Sequence, residues 1–407
     1  MRRFKTFQDM MAEYYPEKAV SKDGKRIFAA KSFTFQVTEN CNLACSYCYQ
    51  TNKSRKVMSF ETAQRAIDML LGISPGLEDY FSCENSPAIV LEFIGGEPFL
   101  ATELIDKIVD DFRIKAIKMR HPWADKFCIS ICSNGTLYFN SEVQRFLQKN
   151  ANHIGFAVTV DGTKSLHDSC RIFPDGRGSY DLAHAAATDW MKRGYYMGSK
   201  ITIAPENVAF VDEALRQMVE DGYHDINANV VFEDVWEHEH AEILYEQICK
   251  FADWFWQEHT MDDYFISLLD DTYGKPMNEN DNNNWCGGTG LMLALDTEGR
   301  FYPCIRYMES SLGADREPLI IGDVYNGLGK RKAEADIIRS LQCITRRSQS
   351  TDECFYCKEA SGCSWCSALN YQLTGSANKR LTCICEMHKA RVRGLKYFWS
   401  KDDNHYH

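Results

Sequence analysis

From residue 33 to about residue 257 the chain alternates short, nearly continuous apolar runs with longer stretches whose apolar residues recur at helical spacing. The apolar runs are 33–37, 88–94, 127–132, 154–160, 199–203 and 226–232, each of strand length. The amphipathic stretches fall at about 59–71, 101–119, 141–150, 180–193, 207–220 and 240–257. Helix starts are marked by Ser59 with Glu61 in the first turn, and by Asn207 ahead of Val208, Val211 and Leu215. Apolar strands separated by amphipathic helices predict a parallel sheet covered by helices. Six such units predict an α/β fold, a partial (β/α)6 TIM-like barrel, whose active site lies at the carboxyl ends of the strands.

The flanks are different in kind. Phe4, Phe7, Met11 and Tyr14 predict a small amphipathic helix packed on the barrel, within an N-terminal extension of residues 1–32. The barrel region, 33–276, closes with an acidic and aromatic stretch containing Trp236, Trp254, Phe255 and Trp256, of which the Trp pair reads as helix core rather than a substrate platform. A polar run from Met277 to Asn284 reads as a linker, residues 277–285. In the last segment, 286–407, Leu291–Asp296 and Arg300–Tyr302 predict a hairpin turning at Thr297-Glu298-Gly299, and a helix ends the chain.

Net charge is −11, which excludes an extended nucleic-acid surface, and no 18-residue apolar run is present to span a membrane. Arg2 and Arg3 are not followed by an apolar segment, so no export signal is read and the expected location is cytoplasmic. In that setting 17 cysteines point to metal ligands rather than disulfides. Cys83, Cys128, Cys132, Cys170 and Cys249 are scattered in mostly apolar contexts and are expected to be core. Nine others crowd into residues 286–385.

The remaining three sit in Cys41-Asn42-Leu43-Ala44-Cys45-Ser46-Tyr47-Cys48, directly after the first apolar run. A [4Fe-4S] cube has four iron corners, so three thiolates on one loop leave one iron open to a small molecule. A structural zinc site would need four ligands. This C-x3-C-x2-C spacing, with Tyr47 before the last thiol, resembles the radical S-adenosylmethionine (SAM) enzymes. That resemblance implies a methionine moiety chelated at the open iron and a 5′-deoxyadenosyl radical that abstracts hydrogen from substrate.

Further motifs stand where such strands end. Gly95-Gly96-Glu97-Pro98 is an ordinary β-to-α turn or, by the resemblance, the contact to the methionine amino group. Ser133-Asn134-Gly135-Thr136 suits a ribose hydroxyl pair or an Asx-type turn. Asp161-Gly162, His167, Asp168, Arg171, Gly176, Gly178, Ser179 and Tyr180 resemble the same stretch in radical enzymes that act on peptides. By that resemblance Arg171 is a partner for the SAM carboxylate; a structural salt bridge is the alternative, and Asp161 and His167 are expected to stabilise the turn. Ile201-Thr202-Ile203-Ala204-Pro205-Glu206-Asn207 would line the adenine.

In the tail, zinc ribbons also use C-x2-C pairs, so spacing alone leaves zinc open. The order of thiols resembles a SPASM domain, which adds two auxiliary [4Fe-4S] clusters. The resemblance assigns Cys286, Cys304 and Cys366 to the first, and Cys354, Cys357, Cys363 and Cys385 to the second. Cys385 is preferred to Cys383 because Glu386 follows it. Cys343 either fills a fourth place on the first cluster or lies elsewhere, leaving a corner open.

The implied activity is a peptide maturase forming a thioether or carbon–carbon cross-link, served by a flavodoxin- or ferredoxin-type electron donor. Residues 1–32 are shorter than the separate leader-peptide domain of many such relatives, so substrate recognition is expected to be arranged otherwise, as by a partner chain. The alternative is an anaerobic sulfatase-maturing enzyme making formylglycine from Ser or Cys, in which an acid follows the hairpin's second thiol. Here that place is Ile305, then Arg306. A non-catalytic metal-bound interaction module is the third reading.

Overall fold

Parallel strands laid down in chain order form the centre of the molecule, seen in a computed structural model that describes residues 30–84, 86–284, 286–312 and 316–402. They are β1 (Ala30–Gln36), β2 (Ala88–Ile94), β3 (Phe127–Ser133), β4 (Ile154–Val158), β5 (Gly198–Ile203), β6 (Asp225–Val230) and β7 (Phe265–Ile266). Each pairs in parallel with the next. The two-residue β7 is too short to leave a periodic pattern and was not foreseen. The helix expected around Phe4, Phe7, Met11 and Tyr14 lies outside the described residues.

The connecting helices are α1 (Phe60–Leu70), α2 (Thr102–Met119), α3 (Ser141–Asn150), α4 (Lys164–Cys170), α5 (Tyr180–Lys192), α6 (Val211–Glu220) and α7 (His238–Glu258). Ser59 caps α1 by accepting the Thr62 N–H at 3.0 Å. Alternation along the strands sorts side chains between two buried faces. Phe33, Phe35, Leu91 and Phe93 are sealed in a core shared with Ile67, Ile105 and Phe112, and the Phe35 and Phe93 rings stack at 5.4 Å. On the other face, Thr34 and Gln36 are equally buried but polar and paired: Gln36 donates to Ser310 at 3.0 Å and Thr34 to Glu92 at 2.5 Å. A mixed α/β molecule around one large, mainly parallel sheet is the result.

The expected hairpin forms from β8 (Met292–Leu295) and β9 (Arg300–Tyr302), but it does not stand apart. β8 pairs in parallel with β1, Phe33 facing Leu293 and Phe35 facing Leu295. The sheet therefore runs on into the tail and ends at β10 (Gly322–Asp323) and β11 (Gly327–Leu328). The tail also carries α8 (Lys332–Gln342), α9 (Arg346–Gln349), α10 (Asp352–Phe355), α11 (Ser367–Thr374) and α12 (Cys385–Trp399). α12 lies along α7, with Phe398 stacked on Phe251 at 6.2 Å and close to Trp256 at 5.1 Å. The polar run 277–284 is strapped down: Asn282 accepts the N–H groups of Arg346 and Arg347, and Asn284 donates to Ile344.

Candidate active site

The loop leaving β1 is held on both sides before any side chain is considered. Glu97 N–H donates to Asn40 O at 2.9 Å and Gly96 N–H to Thr38 O at 3.2 Å. On the other side Ala44 N–H reaches Ile172 O and Ser46 N–H reaches Cys170 O. Gly96 is required by this approach: a Cβ there would lie 2.4 Å from Asn40 O and 2.6 Å from Cys41 Cβ. Asn42 completes the frame by donating to Thr136 and accepting from Asn134, each at 2.8 Å.

Cys41, Cys45 and Cys48 consequently face one cavity of about 480 Å³ at the carboxyl ends of the strands. Burial pushes the Cys41 and Cys45 thiols up; Lys53 acts against it at Cys41 and Arg171 at Cys45. Lys53 stands beside all three thiols. Among the described residues no three His, Cys, Asp or Glu side chains are grouped closely enough to share a single metal ion. Ligands of an iron–sulfur cube bind separate irons, so three soft donors converging on one cavity with nearby cations fit such a cluster.

The other expected residues meet here. Glu97 is fully buried, with Oε1 accepting from Phe99 N–H and Ser133 Oγ and Oε2 from Asn134 N–H, at 2.8–3.1 Å. Its carboxylate is thus committed mainly to the protein. Burial pushes its pKa up, and these donors pull it back. Pro98 opens the short turn whose N-terminus Glu97 caps. Arg171 donates to the Tyr47 hydroxyl at 3.0 Å, and Tyr47 donates to Asp161, which also accepts the Thr202 N–H. Arg171 lines the cavity, yet its buried Nε has no partner among the described residues. An orphaned guanidinium N–H at a cavity fits an anion such as a carboxylate. His167 is sealed below, with Nδ1 accepting from Asp161 N–H and Nε2 bonded to Ser179.

In the tail, Cys286, Cys304 and Cys366 are close enough to influence one another electrostatically. A second group forms from Cys354, Cys357, Cys363 and Cys385. Cys383 turns away to donate to Phe232 O at 3.4 Å. Cys343, at the C-terminal end of α8, is exposed, and its neighbour Ile344 accepts from Asn284, which in turn accepts the Cys286 N–H. Cys366 faces the same cavity as Cys41, Cys45 and Cys48, so the two thiol sites look onto one space.

Several cavity residues were not anticipated. Glu92 and Lys200 project from β2 and β5, and Arg306 reaches across from the tail to pair with Glu233 at 2.7 Å and to cover the Tyr49 ring at 5.1 Å. Glu92 is the lone charge in an apolar strand run, the one signal that marked it. One expectation is corrected: Cys132 is exposed, because alternation along β3 turns it into the cavity while Ile131 and Ser133 are buried. Cys128 and Cys170 are core as expected, whereas Cys83 and Cys249 are only half-buried.

No family model matches the chain. It is 27% identical over 208 residues to an uncharacterized protein of Methanocaldococcus jannaschii, covering 49% of this chain and 63% of that one. It is 23% identical over 302 residues to the serine-type anaerobic sulfatase-maturating enzyme of Bacteroides thetaiotaomicron, covering 66% of this chain and 67% of that one. The first of these matches thus spans less than two thirds of its relative. Among solved structures, anSMEcpe with bound AdoMet and the Cp18Cys peptide superposes with a TM-score of 0.62 at 16% identity, over 91% of this chain and 96% of that one. Streptococcus suis SuiB bound to its precursor peptide SuiA gives 0.56 at 12% identity, over 87% and 75%. These structural likenesses establish the fold.

Proposed function

Because the chain is related to anaerobic sulfatase-maturating enzymes and shares a fold with AdoMet- and peptide-bound structures, we propose that it is a radical SAM maturase of the SPASM type acting on a ribosomally made peptide. In this reading the strands β1–β6 are a partial (β/α)6 barrel, and the tail is a SPASM domain. Cys41, Cys45 and Cys48 would hold the [4Fe-4S] cluster that binds SAM, and the two tail groups would hold auxiliary clusters. When bound, cluster and SAM supply a radical able to abstract an unactivated hydrogen. Arg171, fixed by Tyr47 and Asp161, would take the SAM carboxylate. Gly95 and Gly96 keep the backbone close, and Ser133 and Asn134 hold the neighbouring turn against Glu97 and Asn42.

The observation that carries the reading is the shared cavity. A peptide entering it would meet the Cys41–Cys48 loop on one side and Cys366, Ile305 and Arg306 on the other. Apolar Ile305 stands where a formylglycine-forming relative would carry its acid, which favours a thioether or carbon–carbon cross-link. Glu92 supports the second reading, formylglycine formation, since it offers a carboxyl group to the same cavity from β2. Either chemistry needs an external flavodoxin- or ferredoxin-type donor, and the reading places the enzyme in the cytoplasm. No helix among the described residues is long and apolar enough to cross a membrane.

The test is anaerobic reconstitution of the full chain, followed by iron analysis, 5′-deoxyadenosine assay and mass spectrometry of a co-expressed Cys-containing peptide encoded beside the gene. A product lighter by a pair of hydrogens reports a cross-link, and a new aldehyde reports formylglycine. The Cys41→Ala, Cys45→Ala, Cys48→Ala triple variant is expected to lose SAM cleavage while keeping tail iron. SAM cleavage at the wild-type rate in that variant refutes the assignment.

A further inference from the structure

Tyr307 is fully buried, three residues beyond Cys304, with its N–H bonded to Cys304 O at 3.1 Å. Its ring belongs to a small tail core with Ala294, Tyr302, Met308, Leu341 and Ala368. That packing accounts for an aromatic ring and not for its hydroxyl. The hydroxyl has no hydrogen-bond partner of normal geometry among the described residues. Ser367 Oγ lies near it without meeting hydrogen-bond geometry, and it pairs with Cys286 Sγ at 3.1 Å. Buried hydroxyls are nearly always paired, because an unpaired one has lost water and gained nothing.

The space around that hydroxyl is defined by the thiols of Cys286, Cys304 and Cys366, all within its electrostatic reach. Gly288 marks the wall. A Cβ there would meet Cys304 Sγ at 3.2 Å, Ser367 Oγ at 3.3 Å and Tyr307 Cε2 at 3.4 Å. A thiol and a phenol ring from the Cys304–Tyr307 turn and a hydroxyl from the start of α11 thus crowd one backbone position that carries no side chain. Soft donors on one side and two hydroxyl groups on the other fit a cluster rather than a plain apolar core.

We propose that Tyr307 and Ser367 are hydrogen-bond donors to an iron–sulfur cluster held by Cys286, Cys304 and Cys366, Tyr307 toward the cluster and Ser367 toward the Cys286 sulfur. The proposal rests on the cluster reading above. It makes both residues tuning residues that act through the cluster without touching substrate. A hydrogen bond to a cluster sulfur stabilises the reduced, more negative form, so removing it lowers the reduction potential. An oxygen ligand in the same place would change iron content and spectrum instead.

The experiment is an EPR-monitored redox titration of the reconstituted full chain, in the Cys41→Ala, Cys45→Ala, Cys48→Ala background so that tail signals stand alone. Tyr307→Phe, which keeps the ring, is expected to retain iron and sulfide while the midpoint of the first tail cluster moves to lower potential. Ser367→Ala is expected to move it the same way. An unchanged midpoint in Tyr307→Phe with the cluster intact overturns the proposal, as does loss of iron from that variant, which would make the hydroxyl a ligand. If the Cys286→Ser variant carries the same iron and spectrum as its parent, the cluster reading itself has failed.

Discussion

Glu97 Oε2 accepts the backbone N–H of Asn134 at 2.8 Å, which ties the turn after β2 to the turn after β3. Oε1 receives the Ser133 hydroxyl as well, so one buried carboxylate organises two of the loops that carry expected ligand contacts. Glu97→Ala would orphan these donors at a cost of about 1–3 kcal/mol each. The variant is therefore expected to unfold earlier in denaturant even without SAM, in addition to binding SAM more weakly. An unchanged unfolding midpoint in the ligand-free variant would show that the carboxylate serves the ligand alone.

Much of this arrangement was legible before the structure. Short-range spacing carried the Cys41–Cys48 loop and the Gly95-Gly96 turn, because each needs only neighbours in the chain to take shape. Alternating apolar runs carried β1 to β6 for the same reason. What escaped depends on distant residues meeting. Arg306 and Glu233 are 73 positions apart, and β8 joins β1 across more than half the chain; neither leaves a periodic trace. Cys132 misled because an apolar neighbourhood in sequence does not say which face of the strand a thiol occupies.

His167 makes a pH prediction. Burial, with Arg171 nearby, pushes its pKa from 6.5 down to about 3, and its Nδ1 already accepts the Asp161 N–H. The folded state therefore resists a proton that the unfolded chain accepts below pH 6.5. Its contribution is full above that pH and is lost as pH falls toward about 3, at about 1.4 kcal/mol per pH unit where the difference is one proton. Glu97 and Asp161, raised by burial, have the opposite sign and would blur the raw profile. The comparison of wild type with His167→Gln isolates the imidazole's contribution: the variant is expected to show a shallower loss of stability between pH 6.5 and 4. Parallel profiles for the two proteins would contradict it.

Cys383 and Cys385 are separated by one residue but face different ways. Cys385 joins Cys354, Cys357 and Cys363, whereas Cys383 donates to Phe232 O. Cys385→Ala is expected to lose iron amounting to one cluster per chain and to alter the tail spectrum. Cys383→Ala and Cys343→Ala are expected to keep wild-type iron and sulfide. Iron loss in Cys383→Ala with retention in Cys385→Ala would reverse the assignment.

Glu92 is a carboxyl lining the cavity, and among the described residues its second oxygen has no hydrogen bond. Thr34 donates to Oε2 at 2.5 Å, while Lys200 acts on it electrostatically. Burial pushes its pKa up, with the Thr34 hydroxyl and Lys200 pulling it back, and a carboxyl group placed in the cavity can serve as a general base. Forming either a thioether or an aldehyde from a thiol-bearing residue requires that a proton leave the substrate, and Glu97 and Glu233 are already engaged. Glu92→Gln preserves size and the Thr34 contact. It is expected to leave SAM cleavage near the wild-type rate while product formation falls by at least tenfold. In the wild type, product formation should rise with pH as the raised carboxyl ionises; in the variant that limb should vanish. Retention of the same limb in Glu92→Gln would assign the proton to another group.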